Sequence, residues 1–224
     1  MRRALLVVGK APVPGRTKTR LVPPLSHRQA AALSEAFLRD TLDMAAELEW
    51  ERIALVHPAG DGTALQALVR GDVKLFEQAG SGLGNALRDA FAWHLDAGFD
   101  RVVLIGSDNP TLPAAIVHEA CRALDGCDLT VGPTLDGGYY LIGMREAHLR
   151  VFERIDWSTA RVFAQTLTRA AELNLRVHES PEWFDVHEAL DLVRLQGSLS
   201  QAPAQVAERT RAALARLTAA APAA

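Results

Sequence analysis

The chain has little of what several classes of protein need. Its 224 residues contain only two cysteines, Cys121 and Cys127, which are too few for a disulfide framework and lack metal or redox spacing. No stretch approaches the roughly 18 consecutive apolar residues of a membrane span, and the N-terminal apolar run is too short for a secretory signal. The net charge is only −3, which does not indicate a nucleic-acid or anionic-membrane ligand. We therefore expect a cytoplasmic protein with reduced thiols.

Short apolar runs alternate with helical patterns along the rest of the chain. The runs predict strands at 4–8, 53–57, 73–76, 101–105, 129–132, 139–142 and 175–179. The helical patterns cover 26–49, 61–69, 83–95, 113–124, 160–172, 186–196 and 202–217, with Ser26 as the first N-cap. This alternation favours an α/β fold in which helices cover both faces of a mainly parallel sheet.

The chain shows no internal repeat and no long linker, so we predict one domain. This domain spans residues 1–200, an amphipathic helix at 201–218 belongs to it, and the Ala/Pro-rich residues 219–224 form a frayed tail. Two roles for the helix stay open, since it could cover its own domain or form the seam of a homodimer.

A basic loop follows the first apolar run. The segment GKAPVPGRTKTRL (9–21) contains four cations, Lys10, Arg16, Lys18 and Arg20. Ligands of open parallel sheets bind beyond the carboxyl ends of the strands, so the loop predicts a phosphate site. It is neither a P-loop nor a dinucleotide fingerprint, because the glycine spacing differs and two prolines lack amide donors. If the loop is extended, its last three cations project to one side; the alternative is a solvated charge run.

Two further segments carry candidate chemistry. VVLIGSDNPTLP (102–113) places Asp108 at the end of the most apolar strand, where a carboxylate suits Mg²⁺ or Mn²⁺ beside a diphosphate. VGPTLDGGYYLIGM (131–144) places Asp136 beside two glycines, which allow a ligand to approach the backbone closely. The alternatives are an ordinary turn that starts a helix and an ordinary hairpin turn.

These segments, together with IDWST (155–159), resemble in order the signature segments of a bacterial family. It is the nucleotide-diphospho-sugar transferase-like family, which includes arsenosugar-biosynthesis-type glycosyltransferases. The chain is more distantly similar to molybdenum-cofactor and phospholactate guanylyltransferases. The resemblance covers about residues 5–195 and implies a single-domain GT-A-like, Rossmann-type three-layer sandwich.

The resemblance also implies roles for individual residues. The nucleotide and its phosphates would contact Lys10, Pro12, Gly15, Arg16, Lys18, Arg20, Gln78 and Gly80. The acceptor would contact Asp136, Gly137, Gly138 and Trp157. The catalytic residues would be Lys18, Asp108 and Asp136, with Asp136 a general base or a hydroxyl anchor.

The resemblance is weakest at DVHEALDL (185–192). The family often has Asp-Val-Asp-Thr-Pro-Glu-Asp-Leu there, so His187 replaces an aspartate. Asp108 and Asp185 are the predicted ligands of Mg²⁺ or Mn²⁺, and His187 is a further candidate because histidine can ligate Mn²⁺. Three interpretations stay open: a site that prefers Mn²⁺, a site that depends on Asp185, or a site that has lost its second protein ligand.

Together these features predict a metal-dependent transferase. The first interpretation is glycosyl transfer from a nucleotide-sugar to a small hydroxylated acceptor. The alternatives are a nucleotidyltransferase, in which a phosphate or alcohol attacks a nucleoside triphosphate and releases pyrophosphate, and a catalytically weak nucleotide-binding sensor. The predicted partners are thus a nucleotide-sugar or triphosphate donor and a small-molecule acceptor, with no nucleic acid.

Overall fold

The computed structural model describes residues 1–219, so residues 220–224 of the predicted tail lie outside the described part. The strands are β1 (Arg3–Val8), β2 (Arg52–His57), β3 (Lys74–Glu77), β4 (Arg101–Gly106), β5 (Leu129–Pro133), β6 (Tyr139–Met144) and β7 (Val177–Glu179). The helices are α1 (His27–Ala46), α2 (Gly62–Gln66), α3 (Leu83–Asp96), α4 (Ala114–Ala123), α5 (Val162–Glu172), α6 (Ala189–Gln201) and α7 (Glu208–Ala219). Short 3-10 helices lie at Thr19–Leu21 and Leu149–Phe152.

All seven strands form one sheet in the order β3-β2-β1-β4-β6-β5-β7. Only β6 is antiparallel to its neighbours, β4 and β5, while the other pairs in the sheet are parallel. The predicted mainly parallel α/β sheet is therefore confirmed. Because β1, β2 and β4 are parallel neighbours, the loops that follow them emerge at the same edge of the sheet.

The continuous apolar run of β1 reflects burial on both faces of the sheet. Leu5 and Val7 pack into one core with residues of α1 and α4, such as Leu38 and Val117. Ala4 and Leu6 pack into the core on the opposite face, which includes Phe91 of α3 and Ala170 of α5. Strands buried in this way read as uninterrupted apolar runs instead of alternating ones.

The starts of two helices are each fixed by a side chain that accepts backbone N–H groups. Ser26 caps α1 as predicted, because its hydroxyl accepts the backbone N–H of Gln29 while the Gln29 side chain accepts the N–H of Ser26. At the other end of the chain, the carboxylate of buried Asp40 accepts the backbone N–H groups of Arg209 and Thr210. This carboxylate fixes the start of α7 against α1 of the same molecule.

The predicted bounds of the last two helices were wrong. The helix expected at 186–196 is α6 at Ala189–Gln201, because residues 185–188 are drawn into the site described below. The helix expected at 202–217 begins at Glu208, because Pro203 and a left-handed Ala207 interrupt the helical path. No helix within residues 1–219 is long and apolar enough to cross a membrane.

Candidate functional site

The basic loop and the acidic strand end meet at the carboxyl edge of the sheet. Lys18 Nζ lies 2.7 Å from Asp108 Oδ1, and only 5% of the lysine side chain is exposed. The same Nζ donates to the backbone carbonyl of Val186, 2.5 Å away. One ammonium group therefore joins the loop after β1, the loop after β4 and the segment before α6.

The loop reaches this position because it folds back on itself. The hydroxyl of buried Thr17 donates to the carbonyl of Ala11 at 2.9 Å and accepts the N–H of Val13 at 3.3 Å. The carboxylate of Asp61 accepts the Ala11 N–H at 2.8 Å, which ties the loop to the β2–α2 connection. Lys18 itself adopts a left-handed backbone conformation with φ of 52°.

The expectation that three cations project together from an extended loop was wrong. The chain turns at 14–18 and continues as a 3-10 helix, so alternate residues do not share a side. Lys18 points inward, while Arg20 pairs with Glu188 at 3.4 Å. Lys10 and Arg16 are exposed, and neither forms an ion pair with another residue of 1–219. Of the four cations, the loop brings only Lys18 to Asp108.

His187 lies between two carboxylates. Its Nε2 is 3.2 Å from Asp108 Oδ2, and its Nδ1 is 3.3 Å from Asp136 Oδ2. These hydrogen bonds raise the pKa of His187 to about 9 although burial opposes the charge. The imidazole is therefore cationic at neutral pH, and both ring N–H groups donate.

The charges of Asp108 and Asp136 are stabilised by these neighbours. Burial alone would raise the pKa of Asp108, but the charges and hydrogen bonds of Lys18 and His187 outweigh it and hold that pKa well below its usual range. Hydrogen bonds from His187, Thr134 and the Gly138 N–H lower the pKa of Asp136 in the same way. Both groups are ionised at neutral pH.

Among the three aspartates of this site, Asp185 is the one that forms no ion pair with a residue of 1–219. Its Oδ1 accepts from Asn109 Nδ2 at 3.2 Å. Burial, and then the negative charge of Asp108, raise the pKa of Asp185 to about 7. The cluster of Lys18, Asp108, Asp136, Asp185 and His187, which we call the charged cluster, thus has one carboxyl group that a further cation would ionise.

The donor set next to Asp108 suits a hard divalent cation. Asn109 Oδ1 is buried and has no hydrogen-bond partner in the described part of the chain, and it belongs to the residue that contacts Asp185. Carboxylate and amide oxygens are the ligands that Mg²⁺ and Mn²⁺ prefer. Among residues 1–219, however, no three His, Cys, Asp or Glu side chains are grouped as a metal site. The arrangement therefore fits two carboxylates whose remaining partners come from a ligand.

His187 does not point a free nitrogen at this position. Each of its ring nitrogens has a carboxylate partner, so ligation of a metal by His187 would require the loss of a proton and of one of these contacts. In this arrangement His187 links Asp108 to Asp136, which the pattern of the chain did not indicate.

The turn that holds Asp136 depends on a close backbone approach. Asp136 Oδ1 accepts the Thr134 hydroxyl at 2.6 Å and the Gly138 N–H at 3.2 Å. Gly137 has φ of +85°, and a Cβ built there would lie 2.2 Å from the Ala160 carbonyl oxygen. The turn and the segment before α5 therefore fit together only when residue 137 has no side chain.

We expect Gly137→Ala to destabilise the fold by at least about 1 kcal/mol more than Gly60→Ala, measured by urea unfolding. Gly60 is a matched control, because its φ is +83° but, apart from its own two chain neighbours, no residue of 1–219 has a heavy atom within 4 Å of a built Cβ. The difference between the variants isolates the clash with Ala160. Equal losses of stability would contradict the close fit.

Three other predicted site residues, Gln78, Gly80 and Trp157, form no hydrogen bond or ion pair with the charged cluster within residues 1–219. Gln78 donates to the carbonyl of Gly80 at 2.6 Å, so the two form a local turn after β3. Trp157 packs edge-on against Tyr139 with ring centroids 6.4 Å apart. The two glycines of the Asp136 turn, at 137 and 138, shape the backbone around Asp136, as described above.

Sequence reasoning missed several residues that shape the site. Asp61 and Thr17 anchor the basic loop. Asn109 contacts Asp185. The Asp191 carboxylate accepts the N–H groups of His187 and Glu188 at 3.0 and 2.8 Å. The contact of Asp191 had a recognisable signal, because an acidic residue three positions after the N-cap residue can cap a helix. The other contacts join residues far apart in the chain.

Comparison with known proteins agrees with this architecture. A crystal structure of a candidate nucleotide-diphospho-sugar transferase from Desulfovibrio desulfuricans G20 is 32% identical, with a TM-score of 0.91 over 98% of this chain and 96% of that one. Rv0371C from Mycobacterium tuberculosis H37Rv, solved in complex with manganese, is 19% identical with a TM-score of 0.55 over 88% and 100% of the two chains. CMP:2-keto-3-deoxy-manno-octonic acid synthetase complexed with CTP is 10% identical with a TM-score of 0.58 over 90% and 99%.

The last two similarities show a shared fold only, whereas the first extends over the whole sequence. The first confirms the predicted resemblance to nucleotide-diphospho-sugar transferase-like proteins, and the other two confirm the predicted fold. No curated protein sequence matches the chain significantly. A family model matches residues 41–159, more than half of the chain. The chain belongs to the family described as an uncharacterized protein conserved in bacteria, DUF2064.

Proposed function

We propose that the chain is a metal-dependent transferase that moves a glycosyl group from a nucleotide-sugar to a small hydroxylated acceptor. The ion pair between Lys18 and Asp108 carries this proposal, because it joins the basic loop and the acidic strand end in one site. The similarity to a candidate nucleotide-diphospho-sugar transferase at 32% identity supports the same class of donor.

Two cations outside the charged cluster are available to bind the phosphates of the donor. Lys10 and Arg16 are exposed on the loop that leads to the buried Lys18, so a diphosphate lying along this loop would meet the first two directly and have the positive charge of Lys18 close by. Ammonium and guanidinium groups bind phosphate oxygens with charge-assisted hydrogen bonds. As the bond to the leaving phosphate breaks, the nearby positive charges would stabilise the negative charge that develops.

Asp108 and Asp185 would hold the divalent cation, and Asn109 would support Asp185. A bound Mg²⁺ or Mn²⁺ supplies Lewis-acid stabilisation of the leaving diphosphate. The manganese complex of Rv0371C supports this choice of ion, although that protein shares only the fold.

Asp136 suits the role of a hydroxyl anchor better than that of a general base. A general base works best when its pKa lies near the working pH, and the pKa of Asp136 is lowered by three hydrogen-bond donors. An ionised carboxylate can still accept a hydrogen bond from an acceptor hydroxyl and orient it. Cationic His187 would keep Asp136 and Asp108 at a fixed separation.

Nucleotidyl transfer is the second candidate. The cations of the basic loop favour it, because a triphosphate and its pyrophosphate leaving group need more positive charge than a nucleotide-sugar. The shared fold with a synthetase solved with CTP is compatible with this chemistry.

One assay separates these candidates. The protein is incubated with Mg²⁺ or Mn²⁺ and either a panel of nucleoside triphosphates or a panel of nucleotide-sugars, each with a mixture of small alcohols and sugar acceptors. We expect nucleoside diphosphate to be released from a nucleotide-sugar, and chelation with EDTA to stop the release. Pyrophosphate release from a triphosphate would instead establish nucleotidyl transfer. Thermal stabilisation by nucleotides without either product would contradict both and indicate a sensor.

A further inference from the structure

We infer that Phe37 is a positioning residue, which holds the ammonium group of Lys18 in the charged cluster through the face of its aromatic ring. Lys18 Nζ lies over this ring, 5.5 Å from the ring centroid. The contact joins the basic loop to the middle of α1, an element that the proposed function does not otherwise use. The inference rests on the proposed function only where it assigns diphosphate binding to the site.

The ring of Phe37 adds a third contact to a nearly buried charge. An ammonium group has three N–H donors, and two partners of Lys18 Nζ are oxygen atoms: Asp108 Oδ1 at 2.7 Å and the Val186 carbonyl oxygen at 2.5 Å. The face of an aromatic ring carries partial negative charge and attracts a cation within about 6 Å of its centroid. Because only 5% of the lysine side chain is exposed, solvent screens this attraction weakly. The ring therefore stabilises the ammonium where it lies.

Phe37 belongs to an apolar core that also contains neighbours of Lys18. The ring is fully buried in this core together with Leu21 and Val186. Leu21 lies three residues after Lys18 in the basic loop, and Val186 supplies the carbonyl that Lys18 contacts. The next residue of α1, Leu38, packs into the separate core against the sheet. The helix that carries the ring is thus held by two cores, and one of them also holds both chain segments that meet at the ammonium.

The competing explanation is that Phe37 only fills the core. Packing depends on the shape and apolar area of a side chain, whereas a positioning role depends on the electrons of the ring face. A lysine side chain that is already held in place has little freedom left to lose when a ligand binds, so it costs less affinity than a mobile one. If Phe37 holds Lys18, its loss should therefore weaken the binding of phosphates and not the binding of a nucleoside.

NMR of the lysine side chains tests the contact without any ligand. The chain contains three lysines, Lys10, Lys18 and Lys74, so labelling with ε-¹³C lysine gives three signals. Lys10 and Lys74 are exposed and serve as references, and the Lys18 signal is the one that Lys18→Met lacks. We expect the Cε protons of Lys18 to resonate upfield of the other two, because the ring current shields nuclei above the face of a ring. Phe37→Leu should remove this upfield shift.

Calorimetric titration tests the consequence for binding. We expect Phe37→Leu to weaken the binding of UDP and GDP by about 3- to 30-fold, the range of a cation–π contact, and to leave the binding of uridine and guanosine unchanged. Replacement of Phe37 by pentafluorophenylalanine should cause a similar loss, because fluorine withdraws electrons from the ring face while the ring is kept. In the Lys18→Met background, Phe37→Leu should cause no further loss, because Phe37 acts through Lys18.

Phe99→Leu is the matched control. Phe99 is also buried and also faces a cation, because Arg2 Cζ lies 4.3 Å from its ring centroid. It precedes β4 and so lies at the opposite edge of the sheet from Asp108, which follows β4. The control variant should change neither the Lys18 signal nor the affinity for the diphosphates. Thermal unfolding first shows that each variant is folded at the temperature of the measurements.

The inference is overturned if the Lys18 signal stays in place in folded Phe37→Leu, if the pentafluorophenylalanine variant keeps the wild-type affinity for the diphosphates, or if Phe37→Leu weakens binding equally in the Lys18→Met background. If Phe37→Leu does not fold, the pentafluorophenylalanine variant, which keeps the ring, decides by its affinity. A wild type that binds no nucleoside diphosphate would refute the proposed function, while the lysine signals would still decide the contact with Phe37. Strong diphosphate binding with an unmoved Lys18 signal would do the reverse.

Discussion

Asp108→Asn is expected to lower the rate of group transfer by at least about a hundredfold, the range seen when one preorganised electrostatic group is removed. The substitution keeps the shape of the side chain but removes the charge that Lys18 contacts at 2.7 Å and His187 at 3.2 Å. It also removes one of the two carboxylates proposed to hold the divalent cation. The measurement is release of the nucleoside diphosphate product under saturating donor, together with the shift of thermal unfolding caused by Mn²⁺.

The control for this variant is Asp128→Asn. Asp128 also has a cationic partner, because Arg176 Nε and Nη2 donate to its carboxylate at 3.1 and 2.9 Å and lower its pKa to about 2. It lies at the start of β5, at the opposite edge of the sheet from the end of β4. Asp128→Asn should therefore keep full turnover. If Asp108→Asn keeps both its turnover and its response to Mn²⁺, Asp108 is not the metal ligand.

The elements that surround the site could be predicted because their causes are local. The run at 102–105 is apolar at every position because β4 is buried on both faces, and the end of this run predicted that Asp108 lies at the edge of the sheet. Ser26 and Gln29 predict the start of α1 because a capping box involves only residues three apart. The Asp136 turn was indicated by its two glycines for the same reason.

The arrangement of the side chains within the site could not be predicted, because it depends on contacts between residues that are far apart in the chain. Lys18 donates to a carbonyl 168 residues later in the chain, and His187 contacts carboxylates 79 and 51 residues earlier. The alternating cations of the loop suggested an extended strand-like segment, but the hydrogen bonds of Thr17 and Asp61 fold the loop instead. Local pattern does not encode such tertiary contacts.

The difference between local pattern and tertiary contacts also explains why the arrangement around His187 could not be predicted. Because His187 replaces an aspartate of the family motif that this segment resembles, it suggested a metal ligand at a site that prefers Mn²⁺. With both ring nitrogens beside carboxylates and a pKa raised to about 9, it contributes a positive charge to the charged cluster. A histidine between two aspartates can thus offset carboxylate repulsion that would otherwise require another cation.

Lys18→Met is expected to weaken binding of a nucleoside diphosphate by about 10- to 100-fold and to leave binding of the nucleoside unchanged. A hydrogen bond to a charged group contributes about 1.5–3 kcal/mol, and each 1.4 kcal/mol is a tenfold change in Kd. Methionine keeps the length and apolar stem of the buried lysine but removes its charge. Calorimetric titration of UDP and uridine, or of GDP and guanosine, measures both affinities on the same sample.

Lys74→Met provides the matched control for Lys18→Met. Lys74 is an exposed lysine at the start of β3, at the opposite edge of the sheet from the basic loop, and its loss should change neither affinity. Because Lys18 also donates to the Val186 carbonyl, thermal unfolding must first show that the Lys18 variant is folded at the titration temperature. An equal loss of diphosphate and nucleoside affinity would mean that Lys18 shapes the pocket and does not bind phosphate, since only a charge that contacts the phosphates discriminates between the two ligands.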